Sequence, residues 1–265
     1  MWSVALAYPC LPAGAQHEMN STGGKAYGDD LAHIHDAGYG QLARCAAKLV
    51  VEELRAAGVR QGRIVDLGCG SGIAAERFVA AGYEALGIDQ SGAMLRIARR
   101  RVPRATFKRG SIFSTTIPSC VAVTAMGEVL NYLFDGRSSA ARLATVFRHI
   151  HGALPAGGIL LCDVAEPGRV PGGGPLQHAT EGNGWACIAV AEEDPARQTL
   201  ERRITSFRRA GRTYRREFEV HRLRLYPRQQ VARTLREVGF RVRVRRNYGD
   251  FRFPPGWAGF LARKR

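Results

Sequence analysis

The chain is poor in lysine: only four of its 39 basic residues are Lys, and the rest are Arg. It lacks any Cys-x-x-Cys pair, since Cys10, Cys45, Cys69, Cys120, Cys162 and Cys187 lie far apart. That spacing suits neither a zinc cage nor a disulfide framework, so no metal is expected. Reduced thiols in the cytoplasm are the simplest account. No apolar run approaches the ~18 residues of a membrane span, and there is no repeat or low-complexity segment. Residues 1–15 have no basic n-region, and Pro9 and Pro12 interrupt their apolar patch. Residues 1–22 therefore read as a flexible tail rather than a signal peptide, with Met19 an alternative start.

What remains is ordinary globular composition: 265 residues, 45% hydrophobic and 23% charged. That suits one large domain or a domain with an inserted lobe. The net charge of +16 is unevenly placed. From residue 196 onward 21 basic residues face 5 acidic ones, while the first 195 residues balance at 18 and 18. An Arg bias of this kind accompanies GC-rich coding, so the charge alone is a weak pointer to nucleic acid.

Residues 31–57 carry apolar positions at helical spacing, stopped by Gly58. Buried-strand patterns at 63–67, 84–89, 105–108, 121–126 and 159–163 then alternate with helical ones at 73–81, 91–101 and 140–154. Such alternation predicts an α/β, doubly wound, Rossmann-like parallel sheet with helices on both faces. Residues 167–184 are rich in Gly and Pro and read as a loop. Residues 185–192, 198–208 and 214–225 read as an antiparallel meander. Along 218–225 one meander face is apolar and the other basic, with His221, Arg222 and Arg224 facing solvent by default and the pocket as the alternative. A helix at 227–239 and strands at 241–245 and 256–262 complete a seven-stranded sheet. The expected division is a core with N-terminal capping helices (23–166), an inserted antiparallel strand lid (167–226), and a C-terminal helix and closing hairpin (227–265).

The most informative stretch is Val65-Asp66-Leu67-Gly68-Cys69-Gly70-Ser71-Gly72, between a strand and a helix. Glycines at alternate positions let the backbone approach a ligand closely, and a helix N-terminus offers free N–H groups. The dinucleotide fingerprint Gly-x-Gly-x-x-Gly is not met, because Ile73 holds its last glycine position. Gly-Lys-Ser/Thr is missing, so this is not a phosphate loop. Asp66 would repel a pyrophosphate but attract an ammonium group. Asp89, 17 residues after Gly72, stands where an acid accepts both ribose hydroxyls. A ligand with a zwitterionic amino-acid end and a ribose is implied, and S-adenosylmethionine (SAM) has both.

Val65 to Gly72, Leu86-Gly-Ile-Asp89-Gln90-Ser91, Gly110-Ser111-Ile112-Phe113 and the closing hairpin resemble the class I SAM-dependent methyltransferases over about residues 40–265. The resemblance implies that Gly68, Cys69, Gly70 and Gly72 back the methionine part, and that Asp89, with Gln90 beside it, holds the ribose. It implies that Met94 packs on the adenine, although Met94 also fits plain helix core. Ser111, beside Ile112, stands where the family usually has an Asp bonding the adenine amino group. The N-terminal helix is expected to cover the pocket, with Tyr27 or Tyr39 along the sulfonium, and Tyr248 is a further candidate for the pocket wall.

The strand-four segment Met126-Gly127-Glu128-Val129-Leu130-Asn131-Tyr132 is similar to that of small-molecule N-methyltransferases, including glycine and aminosugar enzymes. Glu128 takes an Asn position there and Tyr132 a His/Tyr position. A carboxylate at 128 suits holding an amine or accepting its proton; the competing reading is an acid facing a helix N-terminus. Asn131 and Tyr132 are candidates for the same chemistry or a capping pair. His35 is a candidate proton acceptor. His33 and His35, two apart among Asp29, Asp30 and Asp36, do not share a helical face and so do not suggest a metal site.

These readings give a SAM-dependent transfer of a methyl group to nitrogen, or oxygen, of a small amine-bearing acceptor, by a monomer or homodimer without a membrane anchor. Three alternatives stay open: an RNA or acidic-protein methyltransferase using the basic C-terminal quarter, an enzyme cyclising SAM itself, and a SAM-binding regulator. Against the first, no Asn/Asp-Pro-Pro-Tyr/Phe follows strand four.

Overall fold

The computed structural model describes residues 27–134 and 139–265. The expected tail, the alternative start at Met19 and Cys10 lie outside them. Two helices, α1 (Asp29–Gly38) and α2 (Gln41–Ala56), precede β1 (Arg63–Leu67), α3 (Ile73–Ala80), β2 (Glu84–Asp89), α4 (Gly92–Arg101), β3 (Thr106–Arg109) and β4 (Ala122–Ala125). Then come α5 (Ala140–Ala153), β5 (Ile159–Ala165), β6 (Leu176–Gly182), β7 (Trp185–Asp194), β8 (Thr199–Ala210) and β9 (Thr213–Arg224). The chain closes with α6 (Arg228–Val238), β10 (Phe240–Arg245), the short pair β11 (Asn247–Tyr248) and β12 (Phe251–Arg252), and β13 (Trp257–Lys264).

The main sheet has seven strands in the order β10-β13-β5-β4-β1-β2-β3, parallel except at β13, which runs antiparallel to both neighbours. All of β4 and β5 is buried, as expected for central strands covered on both faces. Alternation along β1 sends Val65 and Leu67 to a core completed by Phe147, Ile150 and Leu235, and Ile64 to one completed by Leu54, Phe78 and Leu95. Ser91 begins α4 by accepting the Met94 N–H at 3.1 Å, and Ser139 begins α5 by accepting the Arg142 N–H at 3.2 Å. The five cysteines among the described residues are free.

A second sheet, β6-β7-β8-β9, is inserted between β5 and α6 and is antiparallel throughout. Two elements differ from the sequence expectation. The helix at 31–57 is two helices, broken at Tyr39 and Gly40. The expected loop at 167–184 holds strand β6, which pairs only with β7 and is almost wholly exposed. It therefore carries no burial pattern to read.

Candidate active site

A cleft of about 1050 Å³, counted to its open mouth, lies beyond the C-terminal ends of β1, β2 and β4. This is where parallel open sheets bind ligands. Gly68 and Cys69 both donate to the Ile88 carbonyl, at 2.7 and 3.1 Å, which folds the loop back across β2. Gly68, Gly70 and Gly72 all have left-handed φ, of +69°, +51° and +80°. A Cβ on Gly68 would come within 2.0 Å of the Val129 side chain. On Gly70 it would meet nothing closer than the Met94 sulfur at 3.9 Å. Gly70 thus faces open cleft, a cradle that any side chain would fill.

Two carboxylates flank this bend. Asp66 is buried and accepts the Thr124 hydroxyl at 2.6 Å. Burial pushes its carboxyl up to about 7, against the pull of that hydrogen bond. Asp89 accepts the backbone N–H groups of Gly70 and Ser91 at 2.9 and 2.8 Å. Burial raises its carboxyl too, opposed by those donors. Gln90, Met94 and Ile112 continue the wall on this side, with Met126 and Gly127 across from them.

Tyr27, His35 and Tyr39 close the cleft from α1 and its approach, and Tyr132 and Phe134 from the segment after β4. The Tyr27 and Tyr132 hydroxyls share a 3.0 Å hydrogen bond. Burial raises the pKa of both phenols, so both stay protonated. Tyr39 bonds Thr180 of β6 through its hydroxyl at 2.6 Å. His35 stands edge-on to Tyr27 and stacks near Tyr39. Burial lowers it to about 4, so the ring is neutral at physiological pH. Its Nδ1 is buried and finds no partner among the described residues.

Four expected site residues stand elsewhere. Gly72 lies under α4, where a Cβ would sit 3.1 Å from that of Ala98, so its task is close helix packing. The Ser111 Oγ accepts the Phe113 N–H at 3.1 Å, while Gly110 and Ile112 on either side form the wall. Asn131 uses its amide on Ala165 N–H and C=O and on the Arg224 carbonyl, stitching the post-β4 turn to β5 and β9. Glu128 is buried at φ +62°, with one oxygen 2.9 Å from Arg169 Nε and the other 3.1 Å from Arg202 Nη2. Burial would raise its carboxyl, but the two guanidiniums win and hold it below the usual range. Such a carboxylate is a poor base, and it does not line the cleft, so the expectation of a base or amine anchor at 128 is corrected to an ion cluster with the two arginines.

Glu128→Gln leaves two half-buried arginines facing a neutral amide. Stability is expected to fall by about 3 kcal/mol, measured by urea unfolding, with SAM affinity nearly unchanged. Unaltered stability would mean the cluster contributes nothing.

Three further corrections concern side chains read as exposed or wall-forming. His221 is wholly buried, 2.9 Å from Glu219 through Nε2, while Arg222 faces outward to Glu201. Arg224 is half-buried. Tyr248, expected at the pocket wall, is fully buried and donates to the Cys162 carbonyl at 2.6 Å. Sequence reasoning missed Arg169, Arg202 and Glu219. The parity of β9 was the available signal for the buried side, because His221 alternates in step with Leu223 and Leu225.

A glycine bend between two acids lies at the carboxyl ends of a seven-stranded sheet with an antiparallel β13, a fold shared with known SAM-dependent methyltransferases. Residues 64–158 match the family model described as "Methyltransferase domain". A Geobacillus protein described as a methyltransferase is 29% identical over 198 residues, covering 69% of this chain and 76% of that protein. An S-adenosylmethionine-dependent methyltransferase from Clostridium acetobutylicum has the same fold, with a TM-score of 0.74 at 17% identity over 88% of this chain and 97% of that one. The sugar N-methyltransferase KedS8 from Streptoalloteichus gives 0.72 at 20% identity over 97% and 100%. Residues 64–158 thus carry a methyltransferase domain, on a fold that S-adenosylmethionine-dependent methyltransferases share. No helix among the described residues is long and apolar enough to cross a membrane.

Proposed function

We propose that this enzyme methylates a nitrogen of a small, amine-bearing molecule, with the inserted sheet acting as a lid. The observation that carries this reading is the aromatic wall of Tyr27, Tyr132 and Phe134, backed by His221 of β9 and by the bridge between Tyr132 and Leu223. A wall backed by a whole sheet suits a compact acceptor better than a polymer. The likeness to KedS8, a sugar N-methyltransferase, extends over 97% of this chain and so takes in the lid.

In this reading Asp66 meets the cofactor's ammonium, Gly68 to Gly70 accommodate its methionine arm, and Asp89 takes the ribose hydroxyls. Met94 and Ile112 bracket the base, and Tyr27 and Tyr39 face the sulfur. When bound, SAM supplies a methyl group already activated by its sulfonium. The chain's task is to align a lone pair and exclude water. His35 offers a neutral nitrogen to the attacking N–H and turns the lone pair toward the methyl. The Tyr27–Tyr132 hydroxyl pair orients polar groups of the acceptor.

Incubation with SAM and a panel of aminosugars, read by mass spectrometry, tests the reading. S-adenosylhomocysteine (SAH) and an acceptor heavier by one methyl are expected. Methylthioadenosine, or methylated RNA with no amine product, would contradict it.

The Asp66 carboxyl titrates near 7 in the folded chain, so it is largely neutral at pH 6, and an incoming ammonium favours the ionised form. SAM affinity is therefore expected to rise about tenfold per pH unit below pH 7 and to level off above it, with a proton released on binding at pH 6. Calorimetry at pH 6 in two buffers of different ionisation heat checks this. An affinity flat from pH 6 to 8 would remove Asp66 from the ammonium site.

A further inference from the structure

Tyr27 has a left-handed backbone, φ +51°, which costs a bulky residue energy and persists only when its surroundings impose it. Every polar group of Tyr27 is held, each by a different part of the chain. Its N–H donates to Glu219 Oε2 at 2.9 Å, and its carbonyl accepts the Ser91 hydroxyl at 2.8 Å. Its phenol meets Tyr132. Glu219 also accepts the Gly28 N–H at 2.7 Å, and His221 Nε2 lies 2.9 Å from the same carboxylate. Gly28, the N-cap of α1, has no side chain with which to cap the helix, so β9 supplies the carboxylate. The His221 ring then packs 4.9 Å from that of Tyr27, centroid to centroid.

We infer that Glu219 and His221 are positioning residues that hold the Tyr27 ring against the sulfur end of the cofactor. The lid thereby sets the preference for the cationic cofactor over its neutral thioether product. This rests on the proposal that Tyr27 faces the sulfonium. A ring face attracts a sulfonium but gains nothing electrostatic from a thioether. The ratio of SAM to SAH affinity therefore reports ring placement, whereas simple loosening of the fold weakens both ligands alike.

The test is titration calorimetry of the full chain with SAM and with SAH. Glu219→Gln is expected to weaken SAM about tenfold and SAH less than about threefold. His221→Leu should reproduce the shift, and His221→Gln, which keeps a donor near Glu219, should restore the parental ratio. Tyr27→Leu should change the ratio by itself, and adding Glu219→Gln to it should change the ratio no further.

An unchanged ratio in Glu219→Gln and His221→Leu, with Tyr27→Leu still effective, overturns the inference and leaves the sulfonium contact standing. A further shift of the ratio when Glu219→Gln joins Tyr27→Leu also overturns it, since the carboxylate would then act directly by charge. An unchanged ratio in Tyr27→Leu removes the sulfonium contact itself. If Glu219→Gln does not fold, the His221 pair decides.

Discussion

Gly70→Val abolishes SAM binding while the protein still folds. The Cβ of residue 70 has no neighbour nearer than the Met94 sulfur at 3.9 Å, so the added side chain enters the cleft and not the core. The left-handed φ of +51° costs roughly 1–2 kcal/mol for a residue with a Cβ, which a domain of this size survives. Gly68→Val is the informative contrast. There the new atom would lie 2.0 Å from Val129, so packing fails before any ligand arrives. Calorimetry with SAM, beside thermal unfolding, separates the two: lost binding with a modest drop in Tm at 70, a large drop in Tm at 68. Retained SAM affinity in Gly70→Val would mean the cofactor lies elsewhere.

Asp89→Ala has the second-largest expected effect. The carboxylate organises the bend through the N–H groups of Gly70 and Ser91, and it stands at the end of β2, where the proposed function puts the ribose hydroxyls. Removing it strands those donors and takes away the acceptor for the ligand, a loss of about 3 kcal/mol, or about two orders of magnitude in affinity. Asp89→Asn keeps one carbonyl oxygen and should fall between the two. An unchanged dissociation constant in the alanine variant would contradict the ribose assignment.

Both residues were legible in the sequence because their chemistry is local. The glycine bend and its two acids occupy 24 consecutive positions, and the strand ends that present them are marked by apolar runs stopping at 67 and 89. The parallel sheet was legible for the same reason, since central strands buried on both faces need continuous apolar residues. What escaped depends on distance along the chain. Glu128 looked like a free carboxylate because its arginines come 41 and 74 residues later. Glu219 drew no notice because the backbone it holds lies about 190 residues earlier. Strand β6 escaped because an exposed edge needs no apolar pattern, and its flanking glycines and prolines suggested a loop.

The break between α1 and α2 has a related cause. Apolar spacing continues across Tyr39 and Gly40, but Gly40 has room for no side chain: a Cβ would come within 2.9 Å of Ile73. Tyr39 is there released from the helix to reach Thr180 of the inserted sheet. Several contacts between the sheet and α1 thus fall on the approach to the cleft. Arg208 and Arg215 grip the buried Asp30 carboxylate at one end of α1, and Tyr39 closes the other.

A crystal grown with SAH measures the central claim most directly. The account predicts the sulfur against the Tyr27 ring, the ribose hydroxyls on Asp89, and beyond the sulfur a small cavity bounded by Tyr132, Phe134 and His35. A sulfur that opens onto an arginine-lined channel wide enough for a polymer, with Tyr27 turned away, would contradict it.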